Sequence, residues 1–144
     1  MIALASDHAG FEYKEKIKAL LDTIGEYWKD FGTHIPERCD YPEYAHLASQ
    51  AITNGECARG IFVCGTGIGI GITANRHRGV RAASCQVIEA ARMSRLHNDA
   101  NVLAIGERLV SWDLAEEMIR VWLTTPFEGG RHISRIAKIE LPTA

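Results

Sequence analysis

The sequence predicts an α/β protein, a parallel sheet with helices on both faces, and three observations carry that prediction. Three short apolar runs, Ile2-Ala3-Leu4-Ala5-Ser6, Gly60-Ile61-Phe62-Val63-Cys64 and Val102-Leu103-Ala104-Ile105, have the length and continuity of buried strands. Between them apolar residues recur at helical spacing. The run ending at Cys64 opens directly into Gly65-Thr66-Gly67-Ile68-Gly69-Ile70-Gly71, alternate glycines at the point where a parallel strand delivers its carboxyl end to a ligand.

The elements follow in order. Ile2 to Ser6 is the first strand, broken by Asp7-His8-Ala9-Gly10. Tyr13, Ile17, Leu20, Leu21 and Ile24 form the stripe of an amphipathic helix, which Gly25 ends. Glu26 to Phe31 is the second strand and Gly32 to Pro42 a loop. Tyr44, Leu47, Ala48, Ala51 and Ile52 mark a helix closed by Asn54-Gly55. The third strand is Gly60 to Cys64, and its glycine loop opens a helix through Thr73-Ala74-Asn75. Val80 to Ser84 is the fourth strand, Glu89 to Leu96 a helix and Val102 to Ile105 the fifth strand. Ser111 is the expected N-cap of a helix with Leu114, Met118, Val121 and Trp122 inward, stopped before Pro126. Glu128-Gly129-Gly130 turns the chain into a last helix from Arg131.

With 144 residues and no internal repeat or linker, residues 1–144 are expected to form one domain. A formal charge of -2 supplies no general attraction to nucleic acid or anionic lipid, so a small-molecule partner is expected. No apolar run reaches the ~20 residues a membrane span needs, and the first residues read directly into a strand, so a cytoplasmic protein is expected. Cys39, Cys57, Cys64 and Cys85 lack a Cys-x-x-Cys pair and are expected to be free thiols.

In a parallel sheet the ligand sits beyond the carboxyl ends of the strands. That rule selects Asp7 and His8, the segment from Cys64 to Gly71, and Gly106 to Arg108. His97 and Asn98 precede the fifth strand and so belong to its opposite end, from which they reach a neighbouring subunit's pocket more easily than their own. The glycine loop has neither the Gly-Lys-Ser/Thr of a phosphate loop nor a fitting dinucleotide motif, since Ile70 and Ile72 stand where the final glycine is required.

A cysteine ending a buried strand is usually a small packing residue. Cys64 differs in its setting, because oriented N–H dipoles of a glycine loop favour a thiolate, a usable base or nucleophile. Arg131, Arg135 and Lys138 share one face of the last helix, so two guanidinium forks can converge on a phosphate, and Arg108 can add a third cation. His34, His46 and His77 carry no assignment, and no ligand spacing suggests a metal site.

Ser6-Asp7-His8-Ala9-Gly10-Phe11, Asp40-Tyr41-Pro42, Cys64 to Gly69, His97-Asn98-Asp99-Ala100-Asn101-Val102-Leu103 and Glu128-Gly129-Gly130-Arg131-His132 occur together and in order. With these pieces the chain resembles, over nearly its whole length, the ribose/galactose isomerase family, that of the type B ribose-5-phosphate isomerases and the galactose-6-phosphate isomerase subunits. The resemblance implies a three-layer α/β/α sandwich with a five-stranded, Rossmann-like parallel sheet. It also implies reversible aldose–ketose conversion of a phosphorylated sugar through an enediolate, without metal or organic cofactor. Cys64 matches the base, His97 the acid that opens the sugar ring, and Thr66 assists ring opening or holds a sugar oxygen. Gly65, Gly67, Ile68 and Gly69 match the oxyanion loop, Asp7 and Asn98 bind hydroxyls, and His8 and Tyr41 complete the substrate set. Arg108, Arg131 and Arg135 match the phosphate-binding arginines. One branch of the family puts a glutamate where this chain has Ile70, which places the chain in the cysteine branch.

The resemblance further implies a homodimer, or a dimer of dimers, with the active site between subunits; His97 and Asn98, with Arg108, are expected to act across the interface. Ribose 5-phosphate is the expected substrate. A six-carbon aldose phosphate such as allose 6-phosphate or galactose 6-phosphate, and a non-catalytic nucleotide or sugar-phosphate module, are the alternatives.

Overall fold

The computed structural model describes residues 1–143. Its strands are β1 (Ile2–Ser6), β2 (Trp28–Asp30), β3 (Arg59–Cys64), β4 (Ala82–Ser84) and β5 (Val102–Gly106), and its helices are α1 (Phe11–Ile24), α2 (Tyr41–Thr53), α3 (Ile68–Ala74), α4 (Ile88–Leu96), α5 (Trp112–Thr124) and α6 (His132–Ala137). All strand pairs are parallel, in the order β2-β1-β3-β5-β4. The result is the expected three-layer sandwich. None of the described helices is long and apolar enough to cross a membrane.

Strand alternation divides the core into two layers. Ile2, Leu4, Ile61, Val63, Leu103 and Ile105 face α1, α4 and α5. Ala3, Ala5, Phe62, Cys64, Val102 and Ala104 face α2 and α3. The second layer is built largely of alanines, so α2 lies close to the sheet with Ala45, Ala48 and Ala51 turned inward. That packing reverses one expectation: Leu47 points outward and is 50% exposed.

Boundary differences have local causes. A short 3-10 turn, His8–Gly10, is capped by Asp7 and leads straight into α1, which therefore starts at Phe11. Gly25 ends α1 at φ 81°, a left-handed cap that glycine adopts without strain. Tyr41 and Pro42, expected in a loop, instead begin α2 with Asp40 at the N-cap, because proline's missing N–H costs nothing in a first helical turn. β2 is an edge strand of three residues, shorter than Glu26 to Phe31. Val80 lies outside β4, its N–H closing a turn onto the His77 carbonyl at 3.1 Å. The Ser111 hydroxyl caps α5 by accepting from the Leu114 N–H at 3.3 Å, and Met118 and Trp122 point inward with Ala115 and Ile119.

Candidate active site

The carboxyl edge of the sheet gathers most of the residues selected from sequence. After β1, the Asp7 carboxylate is 6% exposed and accepts from the N–H groups of Ala9 (3.0 Å) and Gly10 (3.1 Å). His8 Nδ1 lies 3.2 Å from both the backbone nitrogen and the carbonyl oxygen of Cys39, which ties His8 to the segment leading into α2.

After β3, Cys64 Sγ accepts from the Gly67 N–H at 3.2 Å. The side chain is 4% exposed and shares its layer with Ala5, Phe62 and Ile70, so the sulfur reaches its polar partner from inside the core. The Glu107 N–H bonds to the Cys64 carbonyl and the Arg108 N–H to the Gly65 carbonyl, both at 3.0 Å. These two bonds join the loops that follow β3 and β5. Arg108 consequently lies over Gly65, where a Cβ would sit 3.1 Å from its Nη1.

Two further glycines make close approaches. Gly67 has φ 77°, and a Cβ there would meet the Ile105 carbonyl carbon at 2.8 Å. At Gly69 a Cβ would meet the Tyr41 ring at 2.5 Å, so α2 and the glycine loop touch directly. Thr66 is exposed, and its hydroxyl accepts from the Ile68 N–H at 3.2 Å. The side chains of Ile68 and Ile72 stand outward on α3, 50% and 55% exposed. Ile70 is fully buried.

The remaining candidates collect at the opposite edge. The Glu128 N–H bonds to the Leu96 carbonyl at 3.0 Å, bringing the segment before α6 against the end of α4. There His97 stacks on His132 with centroids 4.4 Å apart, and its Nε2 lies 3.8 Å from a Glu128 carboxylate oxygen. Arg131 Nη1 is likewise 3.8 Å from Glu128. Arg131, Arg135 and Asn98 are exposed. Burial, and then the charge of Arg131, push the His132 imidazole below its ordinary pKa.

Register separates the two groups. Cys64 pairs with Gly106 at one end of β5 while Gly60 pairs with Val102 at the other, a strand length of roughly 13 Å. Asp7, His8, Tyr41, Cys64, Thr66, the loop glycines, Ile68 and Arg108 therefore stand apart from His97, Asn98, Arg131 and Arg135. Arg108 shares Cys64's edge instead of travelling with His97.

Three neighbours lie in segments singled out from sequence but were given no role there. The Glu107 carboxylate accepts from the Tyr13 N–H at 2.8 Å, and burial, with the charges of Glu12 and Asp7, raises its pKa. The others are Glu128 and His132, whose ligand atoms lie with that of His97 within 4.8 Å of one another. Sequence spacing could not reveal that group, because it is assembled from two separate segments; the only signal was the His132 that directly follows Arg131.

A parallel sandwich with a thiol, a glycine loop and a guanidinium at the carboxyl edge defines an α/β enzyme acting on a small molecule. The profile of the family described as Ribose/Galactose Isomerase matches residues 2–139. The chain belongs to that family, whose activity is isomerisation of phosphorylated sugars. It is 46% identical over 138 residues to ribose-5-phosphate isomerase B of Escherichia coli, covering 96% of this chain and 93% of that protein. It is 39% identical over 140 residues to D-erythrulose-4-phosphate isomerase of Pectobacterium atrosepticum, covering 96% and 91%. The solved structure of Clostridium thermocellum ribose-5-phosphate isomerase B superposes with a TM-score of 0.94 at 49% identity, over 96% of this chain and 93% of the other.

Proposed function

We propose that this chain interconverts ribose 5-phosphate and ribulose 5-phosphate through an enediolate, using its own side chains and no cofactor. The observation that carries the reading is the Gly67 N–H directed at Cys64 Sγ at the head of the glycine loop, which holds the sulfur at the carboxyl edge where a parallel sheet binds its ligand. In the opened aldose, Cys64 removes the proton from C2, the electron pair forms the C1–C2 double bond, and negative charge gathers on the carbonyl oxygen. N–H groups of the Gly65–Gly69 loop stabilise that charge, those of Gly69 and Ile70 having no intrahelical partner in the first turn of α3. Return of that proton from Cys64 to C1, with transfer of the O2 proton to O1, completes the ketose.

Ring opening needs an acid, and His97 is assigned that task from a second copy of the chain, because it cannot cross its own sheet. The same copy brings Asn98 to the sugar hydroxyls and Arg131 and Arg135 to the phosphate; Arg108 comes from the Cys64 side. The exposed Ile68 and Ile72 beside the glycine loop support a homodimer, supplying apolar surface for a second copy to cover. Asp7 and His8 line the Cys64 half, with Thr66 and Tyr41.

Cys64→Ala is expected to remove turnover while leaving the fold intact, and reaction in deuterated water to place deuterium at C1 of ribulose 5-phosphate. A folded Cys64→Ala enzyme with near wild-type turnover would exclude the thiol as base. Because one relative at 39% identity carries the name of a four-carbon sugar phosphate, a second reading assigns another chain length to the substrate. Comparing kcat/KM across four-, five- and six-carbon aldose phosphates decides between them, ribose 5-phosphate being expected to lead.

A further inference from the structure

At the amino edge of the sheet, two imidazoles and a carboxylate gather within reach of one another. His97 and His132 lie stacked, Glu128 approaches His97 Nε2 at 3.8 Å, and the three ligand atoms fall within 4.8 Å of one another. His132 adds an independent sign: its side chain is 5% exposed, and its Nε2 is buried without a hydrogen-bond partner. A buried imidazole nitrogen left unpaired is costly unless something occupies it. We propose that His97, Glu128 and His132 form a binding site for a divalent transition metal, with zinc the best chemical match.

Two nitrogens and one carboxylate oxygen suit zinc, and a water would fill the fourth tetrahedral position. Magnesium and calcium, which take oxygen ligands, do not suit the set. At the usual bond length of about 2.0–2.1 Å the ligand atoms must close to roughly 3.4 Å. The movement falls to the half-exposed His97 and Glu128 side chains, 36% and 48% accessible, with the His97 ring turning out of its stack on the buried His132 so that one nitrogen of each ring meets the ion. The backbone already brings the partners together. The Glu128 N–H is bonded to the Leu96 carbonyl, and Gly129 and Gly130, at φ 72° and 58°, turn the chain so that His132 returns beside Glu128. Arg131, paired with Glu128 only at 3.8 Å and otherwise exposed, gives up that contact to solvent.

One consequence rests on the function proposed above. A metal on His97 withdraws the acid assigned to ring opening, so zinc inhibits the isomerase. Binding itself is independent of that reading.

The test uses the whole protein freed of metal by a chelator and then titrated with zinc by calorimetry and with cobalt(II) by absorption. One metal per chain is expected, with a cobalt spectrum lacking a thiolate charge-transfer band. Glu128→Gln, a surface change that leaves the core alone, and His132→Gln should each weaken zinc binding more than about tenfold. Cys64→Ser should bind as wild type, and so should His46→Gln, which breaks the separate His46–His77 contact. Absence of binding, unchanged binding in Glu128→Gln, or loss of binding in Cys64→Ser or His46→Gln would overturn the site. If zinc binds as described and turnover of ribose 5-phosphate does not fall, the metal site stands and the role given to His97 fails.

Discussion

Lys14 places an ammonium in the interior beside α1's apolar stripe, fully buried. Its Nζ meets Asp30 at 2.7 Å and also donates to the Thr33 carbonyl, while Lys18 approaches the same carboxylate at 2.6 Å. Burial alone would raise the Asp30 pKa, but hydrogen bonds from Lys14, Lys18 and the Gly32 N–H outweigh it and hold the carboxyl below its ordinary value. A depressed carboxylate contributes stability that is complete above its unfolded pKa, about 3.9, and is lost as pH falls through the lower folded value. Asp30→Asn is therefore expected to cost about 3–5 kcal/mol at neutral pH by leaving Lys14 buried without a counter-charge, and to flatten the acid limb of a stability–pH curve. Urea denaturation across pH checks both. Sequence periodicity could not expose this pair, because a lysine inside a charged helix reads as solvated until Asp30 is brought to it by β2. The placement of Cys64 and Asp7 at the carboxyl ends of β3 and β1, in contrast, was legible, because strand ends followed by polar or glycine residues announce themselves.

At the scale of the element, the glycine loop separates conformational from steric demands. Gly67→Ala would pair a left-handed φ with a Cβ pressed on the β5 backbone, which cannot move aside, so it should cost about 1–3 kcal/mol or more in Tm-derived stability. Gly69→Ala meets only the Tyr41 ring, which is half-buried and able to shift. That variant is expected to keep its Tm and lose kcat/KM for ribose 5-phosphate; an unchanged kcat/KM would remove Tyr41 from the site. The elements themselves were readable wherever one periodicity dominated, as in α1, β3 and β5. They were misjudged where neighbours decide the outcome. Leu47 looked like a core residue by spacing, but the alanine rows of β1 select the small side of α2 instead. Asp40 to Pro42 looked like a loop by composition, yet composition there is equally that of a helix start.

For the whole molecule, the sandwich and the sheet's parallel direction follow from the alternation of elements, and so does the separation of His97 from Cys64. The chain thus carries two groups of candidate residues at opposite edges of its sheet. If the active site spans two copies, Cys64→Ala and His97→Ala are each inactive alone, yet their mixture regains activity. Random reassortment makes half the dimers mixed, each with one intact site, so about a quarter of the wild-type rate is expected. No recovery after subunit exchange verified by mass spectrometry would place both residues in a single-chain mechanism.

The paired backbone bonds between the β3 and β5 loops bear on selectivity. They tie the backbones of Cys64, Gly65, Glu107 and Arg108 into one shelf within the chain. In the proposed site His97, Asn98, Arg131 and Arg135 arrive from outside that shelf. If the site spans two copies, accommodation of a shorter or longer sugar comes from the docking angle between them, and quaternary geometry becomes the ruler that measures the substrate.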